Sequence, residues 1–273
     1  MHRHHDDEVH EHDRGLSYDL PVLARRRMIR LLAGASLVPL VGCTSDEGTS
    51  ASSSSSSSSA SSAECATIPS ETAGPYPGDG SNGVNVLKES GVVRSDITKS
   101  FGDSAGGTAE GVPLTVTLTV VDAASGCGTP KKGAAVYLWH ADRDGKYSLY
   151  SDGVTDENYL RGVQETDDKG QVTFKSVFPG CYDGRWPHIH FEVYGSLADA
   201  TAATSITNTS QLAFPKDSCE EVYAAEGYSQ SVTNLDRVSL ETDNIFSDGY
   251  GRQLAAMKGS ATEGYTATLT VPV

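Results

Sequence analysis

The chain has 273 residues, with 21 Lys+Arg against 36 Asp+Glu and a formal net charge of −15 at pH 7. An acidic surface of this size repels a phosphate backbone, which excludes nucleic acid as a partner. The length suits one or two domains, and only part of it reads as domain.

Residues 1–42 run "MHRHHDDEVHEHDRGLSYDLPVLARRRMIRLLAGASLVPLVG". Arg25 and Arg26 precede a short apolar run, Leu31 to Val41, too short to span a bilayer. Leu40-Val41-Gly42-Cys43 closes it. Charged flank, apolar run and small-residue cleavage site in this order resemble a twin-arginine (Tat) export signal ending in a bacterial lipobox. The resemblance implies that residues 1–42 are a signal peptide and that Cys43 is lipidated. The product would be an exported cell membrane lipoprotein on the extracytoplasmic face. Lipid, not a basic patch, would then supply the membrane affinity. Five of the eight histidines lie in the first twelve residues and would leave with the signal. Only His140, His188 and His190 then remain for chemistry.

Residues 43–64, with "TSDEGTSASSSSSSSSASSAE", have no apolar surface to bury and read as a Ser-rich flexible tether. The folded domain is expected over residues 65–273. It holds Cys65, Cys127, Cys181 and Cys219. Outside the cytoplasm, four cysteines predict two disulfides, and the sequence does not choose among the three pairings.

Within the domain the pattern is strands and turns. "VPLTVTLTVVDA" alternates through its β-branched residues over 114–121 and predicts a strand. "AAVYLWHAD" predicts a second, and "RDGKY" a turn entering a third. "RGVQETDDKGQVTFKSVF" reads as strand, turn at Asp168-Lys169-Gly170, strand. "HIHFEVYG", "SQLAF" and "YTATLTVPV" add three more. Residues 215–262 have no clear period and are expected to hold short helices. "DRDG" and "DDKG" look like pieces of a calcium loop but lack the later ligands such a loop needs, so both read as hairpin turns. The fold class predicted is all-β: a β-sandwich of mixed short strands with long loops and few short helices.

The chemistry gathers around "RWPHIHF". His188 and His190 are two apart in a strand, so both imidazoles project to one face. Glu192 shares that face and suggests a two-His-one-carboxylate metal set. Four residues of strand span about 13 Å, however, so three successive same-face side chains do not readily converge on one ion. Two ligands from this strand, completed from elsewhere, is the better geometry. Tyr147 follows the "DGK" turn and Tyr182 lies in "FPGCY". Tyr150 and Tyr159 are close enough in sequence to compete for the place of Tyr147. His140, after Trp139 in a strand, reads as structural.

"ETAGPYP", "WHADRDGKYSLY", "YLRGVQETDDKGQVTFKSVFPGCYDGR" and "HIHF", in this order, resemble the intradiol ring-cleavage dioxygenases over roughly residues 65–215. The resemblance implies a non-haem Fe(3+) held by Tyr147, Tyr182, His188 and His190. It implies an oxidoreductase that uses O2 to cut catechol-type diols into muconate-type diacids, an activity of aromatic compound catabolism. In that scheme Tyr182 gives way to substrate and takes up a proton as a base. Arg185 stands beside the metal as a fixed cation that stabilises negative charge building on the substrate. Tyr76, Gln164 and Gln211 are further pocket candidates. The donor chemistry agrees: a phenol with a pKa of about 10 ionises at neutral pH only against a cation, and Fe(3+) favours anionic oxygen. Cys181 before Tyr182, the short loop from Tyr182 to His188 and the lack of a long helical segment ahead of the sandwich depart from the best-known members. They leave the ring substituents and the oligomeric state open. The competing class is a lipid-anchored β-sandwich binding protein for aromatic or carbohydrate ligands with a vestigial iron site.

Overall fold

A computed structural model describes residues 65–273. The export signal, the lipidated Cys43 and the Ser-rich tether lie outside the described residues. Eight strands form the frame: β1 (Pro113–Val121), β2 (Ala135–Trp139), β3 (Arg161–Glu165), β4 (Gln171–Val177), β5 (His188–Tyr194), β6 (Ile206–Ala213), β7 (Ala256–Ser260) and β8 (Gly264–Pro272). They make two four-stranded sheets, ordered β4-β1-β8-β7 and β3-β2-β5-β6. Strands β1 and β8 pair in parallel, and the other neighbours are antiparallel. Three short helices follow β5: α1 (Leu197–Ala202), α2 (Lys216–Tyr223) and α3 (Ser229–Leu235). Among the described residues no helix is long and apolar enough to cross a membrane.

In the first sheet, alternation decides everything. Leu114, Val116, Leu118 and Val120 of β1 are buried while the threonines between them stay half-exposed. The buried row meets Val136 and Leu138 of β2 and Ile189, Phe191 and Val193 of β5 in the main core. The second sheet is covered on its other face too. There Tyr137 and Trp139 of β2, Val163 of β3 and Tyr194 of β5 form a second core with Val86, Leu87 and Val92 from the segment ahead of β1. All seven residues of β5 are consequently buried. Its odd positions face the main core, and His188, His190, Glu192 and Tyr194 face the second.

The covering segment is tied down by polar contacts. The Glu71 N–H donates to the Thr209 carbonyl at 2.7 Å. Arg161, fully buried, donates to the carbonyls of Tyr76, Pro77 and Ser148 at 3.0, 2.9 and 2.9 Å. A disulfide joins Cys65 to Cys127 and fastens the start of the segment to the β1–β2 connection.

Three sequence expectations change. No strand follows "RDGKY": residues 146–160 run through turns, begun by the Asp142 carboxylate, which accepts the N–H groups of Asp144 and Lys146. The turn after β3 does not close a hairpin, because β3 and β4 belong to different sheets. The Asp167 carboxylate accepts the Lys169 and Gln171 N–H groups, and Gly170 takes a φ of +72° against the Val120 carbonyl. Hairpins and sheet-crossing corners use the same turn residues, so sequence cannot separate them. Finally, Cys181 and Cys219 are both buried free thiols, leaving one disulfide rather than two among the described residues.

Candidate metal centre

Two glycine turns and one strand meet at the outer face of the second sheet. In the first turn Gly145 has a φ of +79°, and a Cβ there would stand 3.0 Å from Cβ of Tyr182. In the second, the Gly180 N–H donates to the Asp142 carbonyl at 2.9 Å, and a Cβ on Gly180 would run into the Arg143 carbonyl. The turns therefore pack back to back, at a separation that only glycine permits. This brings the rings of Tyr147 and Tyr182 edge to face, with centroids 5.9 Å apart.

The histidines arrive from β5. Nδ1 of His188 donates to the Trp186 carbonyl at 2.5 Å, which turns Nε2 outward as the free lone pair. Trp186 is itself held, its indole N–H donating to the Phe214 carbonyl at 2.8 Å. His190 stacks on Trp139, its cross-strand neighbour, at 5.0 Å and 8°. Trp139 in turn stacks on Tyr137 at 4.9 Å.

Four donor atoms converge. Nε2 of His188 lies 3.1 Å from Nε2 of His190, 3.2 Å from the Tyr182 hydroxyl and 3.4 Å from that of Tyr147. One imidazole lone pair cannot serve three hydrogen-bond donors, whereas a cation among the four atoms would use a lone pair from each. The protonation preferences agree. Burial holds His188 and His190 well below the usual imidazole range, with the charge of Arg185 adding at His188 and the neighbouring His188 at His190. Both are thus neutral, the form that ligates. Burial, reinforced by Tyr182, holds the Tyr147 phenol well above its ordinary value, so a nearby cation is needed to ionise it. Two oxygens that become anionic on ionisation and two neutral nitrogens suit a hard metal ion such as ferric iron.

The competing ligands are occupied elsewhere. Glu192 accepts the Tyr194 hydroxyl at 2.6 Å, and burial pushes its carboxyl up to about 7. No three His, Cys, Asp or Glu among the described residues gather as a metal set, so a His188-His190-Glu192 centre is not assembled. The Tyr150 hydroxyl donates to Asn82 at 2.9 Å, and that of Tyr159 to Asp142 at 2.9 Å. Both ring nitrogens of His140 are engaged, with the Ala141 carbonyl and the Ser176 hydroxyl, each at 2.7 Å. Gln164 donates to the Thr173 carbonyl, away from the cluster.

Arg185 is buried, and it is a paired charge rather than a bare one. Its Nε donates to Asp243 at 3.0 Å and a terminal nitrogen to Gln211 at 2.7 Å. Gln211 sits opposite His190 on β6 and donates onward to the Thr72 carbonyl at 3.0 Å. Asp243, fully buried, also accepts the Trp186 N–H at 2.7 Å and so steadies the carbonyl that orients His188. Sequence reasoning missed Asp243, because it lies in the stretch without periodicity.

A cavity of about 390 Å³ opens beside the tyrosines, lined by Tyr76, Tyr147, Tyr182, Gln230, Asn234 and Arg237 among others. That volume suits a small organic ligand. Tyr76 packs on Tyr147 at 5.1 Å and walls one side.

Fold and site together define a β-sandwich whose outer sheet face carries a two-tyrosine, two-histidine donor set, buried except for the half-buried Tyr182, beside a small-molecule cavity. The family model described as Dioxygenase matches residues 92–239, more than half of the chain, which belongs to the intradiol ring-cleavage dioxygenase family. Members of this family are generally Fe(III)-dependent. Over 56 residues the chain is 38% identical to a chlorocatechol 1,2-dioxygenase of Rhodococcus opacus, a match covering 20% of this chain and 22% of that protein. The structure of an intradiol ring-cleavage dioxygenase from Tetranychus urticae superposes with a TM-score of 0.55 at 28% identity, covering 67% of this chain and 87% of that one.

Proposed function

We propose that the protein is a non-haem Fe(III) intradiol dioxygenase that uses O2 to cleave catechol-type diols between the two hydroxylated carbons, giving muconate-type diacids. The observation that carries the reading is the set of three donors within 3.4 Å of His188 Nε2, beside a cavity, in a member of this family. When bound, ferric iron supplies the Lewis acidity that makes a catecholate reactive toward O2.

The chain's own residues divide the remaining work. Tyr182 is half-buried and Tyr147 fully buried, so Tyr182 is the phenol with room to swing aside. Its oxygen is the base that takes a proton from the incoming diol. Tyr147, walled by Tyr76, stays in place. Trp186 and Trp139 hold the two imidazoles in orientation. Arg185 stabilises negative charge on the bound ring, moderated by its pairing with Asp243. Export through Arg25 and Arg26 and anchoring through lipidated Cys43 would put this activity at the cell surface.

Metal analysis and the visible spectrum of the purified protein test the reading. One iron per chain with a red to purple phenolate-to-iron band is expected, shifting when catechol is added without oxygen. Admitting O2 should then yield a ring-opened diacid. A colourless zinc protein, or cleavage outside the two hydroxyls, overturns it; an iron protein that binds catechols and never opens them is a binding module instead. For export, Arg25→Lys with Arg26→Lys should leave the protein in the cytoplasm and Cys43→Ala should abolish lipidation, and normal membrane fractionation of the double-lysine variant contradicts the signal.

A further inference from the structure

We propose that Ser231 and Asn234 of α3 are positioning residues for Tyr182, an inference whose catalytic meaning rests on the reading of Tyr182 as the labile metal ligand. Tyr182 sits in a turn, with no sheet ladder to hold it. The residue before it is gripped from both sides. The Cys181 N–H donates to the Ser231 hydroxyl at 2.9 Å, and the Cys181 carbonyl accepts the Asn234 amide at 2.8 Å. These bonds fix both peptide planes that meet at the Cys181 Cα, and the second of those planes leads directly into Tyr182. The direction of the Tyr182 side chain is therefore set by α3.

Three features mark the grip as specific. Ser231 and Asn234 are 2% and 6% exposed, and serine and asparagine are poor choices inside a helix unless a contact needs them. They stand three apart, on one helix face. The Asn234 side-chain oxygen accepts the Gln230 amide at 3.2 Å, so its nitrogen is the end turned to Cys181. The helix itself is anchored just ahead of its start, where the Tyr228 hydroxyl donates to the Phe178 carbonyl at 2.8 Å and accepts the Val112 N–H at 3.0 Å. Gln230, Asn234 and Arg237 also line the cavity, so a ligand there leans on the helix that aims the phenol.

The test uses the full chain labelled with fluorotyrosine and read by 19F NMR without metal, the Tyr182 and Tyr147 lines being assigned with Tyr182→Phe and Tyr147→Phe. Asn234→Asp removes the donor at nearly constant shape, Ser231→Ala removes the acceptor, and Ser231→Thr restores it. The expected result in the first two variants is a shifted or broadened Tyr182 line, with a smaller change in the line of Tyr147, which packs on it edge to face, and recovery in Ser231→Thr. In the iron-loaded protein the same variants should keep their metal, move the visible band and lower kcat about tenfold with KM changed less than about twofold, the scale of one hydrogen bond. An unmoved Tyr182 line, or all tyrosine lines moving together with a collapsed melting temperature, overturns the inference. An iron-free, colourless wild type would sink the dioxygenase reading and leave the NMR result standing, so the two failures are distinguishable.

Discussion

The two sheets of the sandwich use the same kind of strand for different ends. The β4-β1-β8-β7 sheet shows one face to the core and one toward solvent, and its three longer strands alternate accordingly. The β3-β2-β5-β6 sheet is covered on both faces, and β2 and β5 have no exposed residue. Sheets covered on both faces lose their alternation. That second covered face carries polar groups, most of them partnered; the His190 Nδ1 and the Trp139 indole nitrogen have no hydrogen-bond partner among the described residues. His188, His190, Glu192 and Tyr194 occupy it in one row, which gives two imidazoles to the four-donor cluster at one end and forms a carboxyl–phenol pair at the other. The first sheet supplies one apolar face to the core, and the second adds a covered face that carries polar groups.

The largest effects should fall on the second sheet. On the proposed iron scheme, His188→Ala or His190→Ala is expected to lose most of the metal, since either removes one of the four donors. Glu192→Gln should keep it. Metal analysis decides, and iron loss in Glu192→Gln with retention in Tyr147→Phe would reverse the assignment. Next comes Asp243→Ala, which strands the Arg185 guanidinium in a buried site and should cost about 3–5 kcal/mol in denaturant unfolding. If the ion pair is dispensable, the loss will be under about 1 kcal/mol.

Phe174→Ala, in the alternating sheet, should cost a similar 3–5 kcal/mol through the cavity it opens. The comparison predicts a difference in kind: the visible band of the folded fraction stays where it is in the wild type. A moved band would mean that the two sheets are not separable.

A smaller effect concerns pH. The Glu192 carboxyl is raised to about 7 by burial, so the folded state holds a proton that the unfolded chain releases near the ordinary carboxylate value. Its contribution is fully present below the unfolded pKa and is lost as pH rises toward 7. Glu192→Gln should flatten that part of the stability profile, and an unchanged slope would show that Glu192 does not titrate there. The smallest expected signal is chemical. Burial pushes Cys181 up to about 12 and Cys219 well above its usual range, so neither thiol should react with a thiol reagent until the protein unfolds.

Much of this site was legible because its pieces are local. "DGKY", "PGCY" and "HIH" each bind a chemical group to a turn or strand whose residues lie side by side in the chain. Asp243, Ser231 and Asn234 were not legible. Helix α3 buries Ser231 and Asn234 along with Leu235, so it shows no apolar period, and β7 is an edge strand with no fully buried residue. A polar residue leaves no pattern when its burial is created by what packs over it.

The amino-acid sequence alone determined the sandwich class, most of the strands, the family resemblance and the tyrosines and histidines that converge here, because periodicity, turn chemistry and motif spacing are short-range properties. Only the tertiary structure decided which sheet each strand joined, which cysteines paired, that Arg185 is paired with Asp243, and that Glu192 bonds Tyr194 instead of joining the histidines. Those outcomes depend on which distant segments come into contact, and a buried polar group takes its partner from the fold, not from its neighbours in the chain.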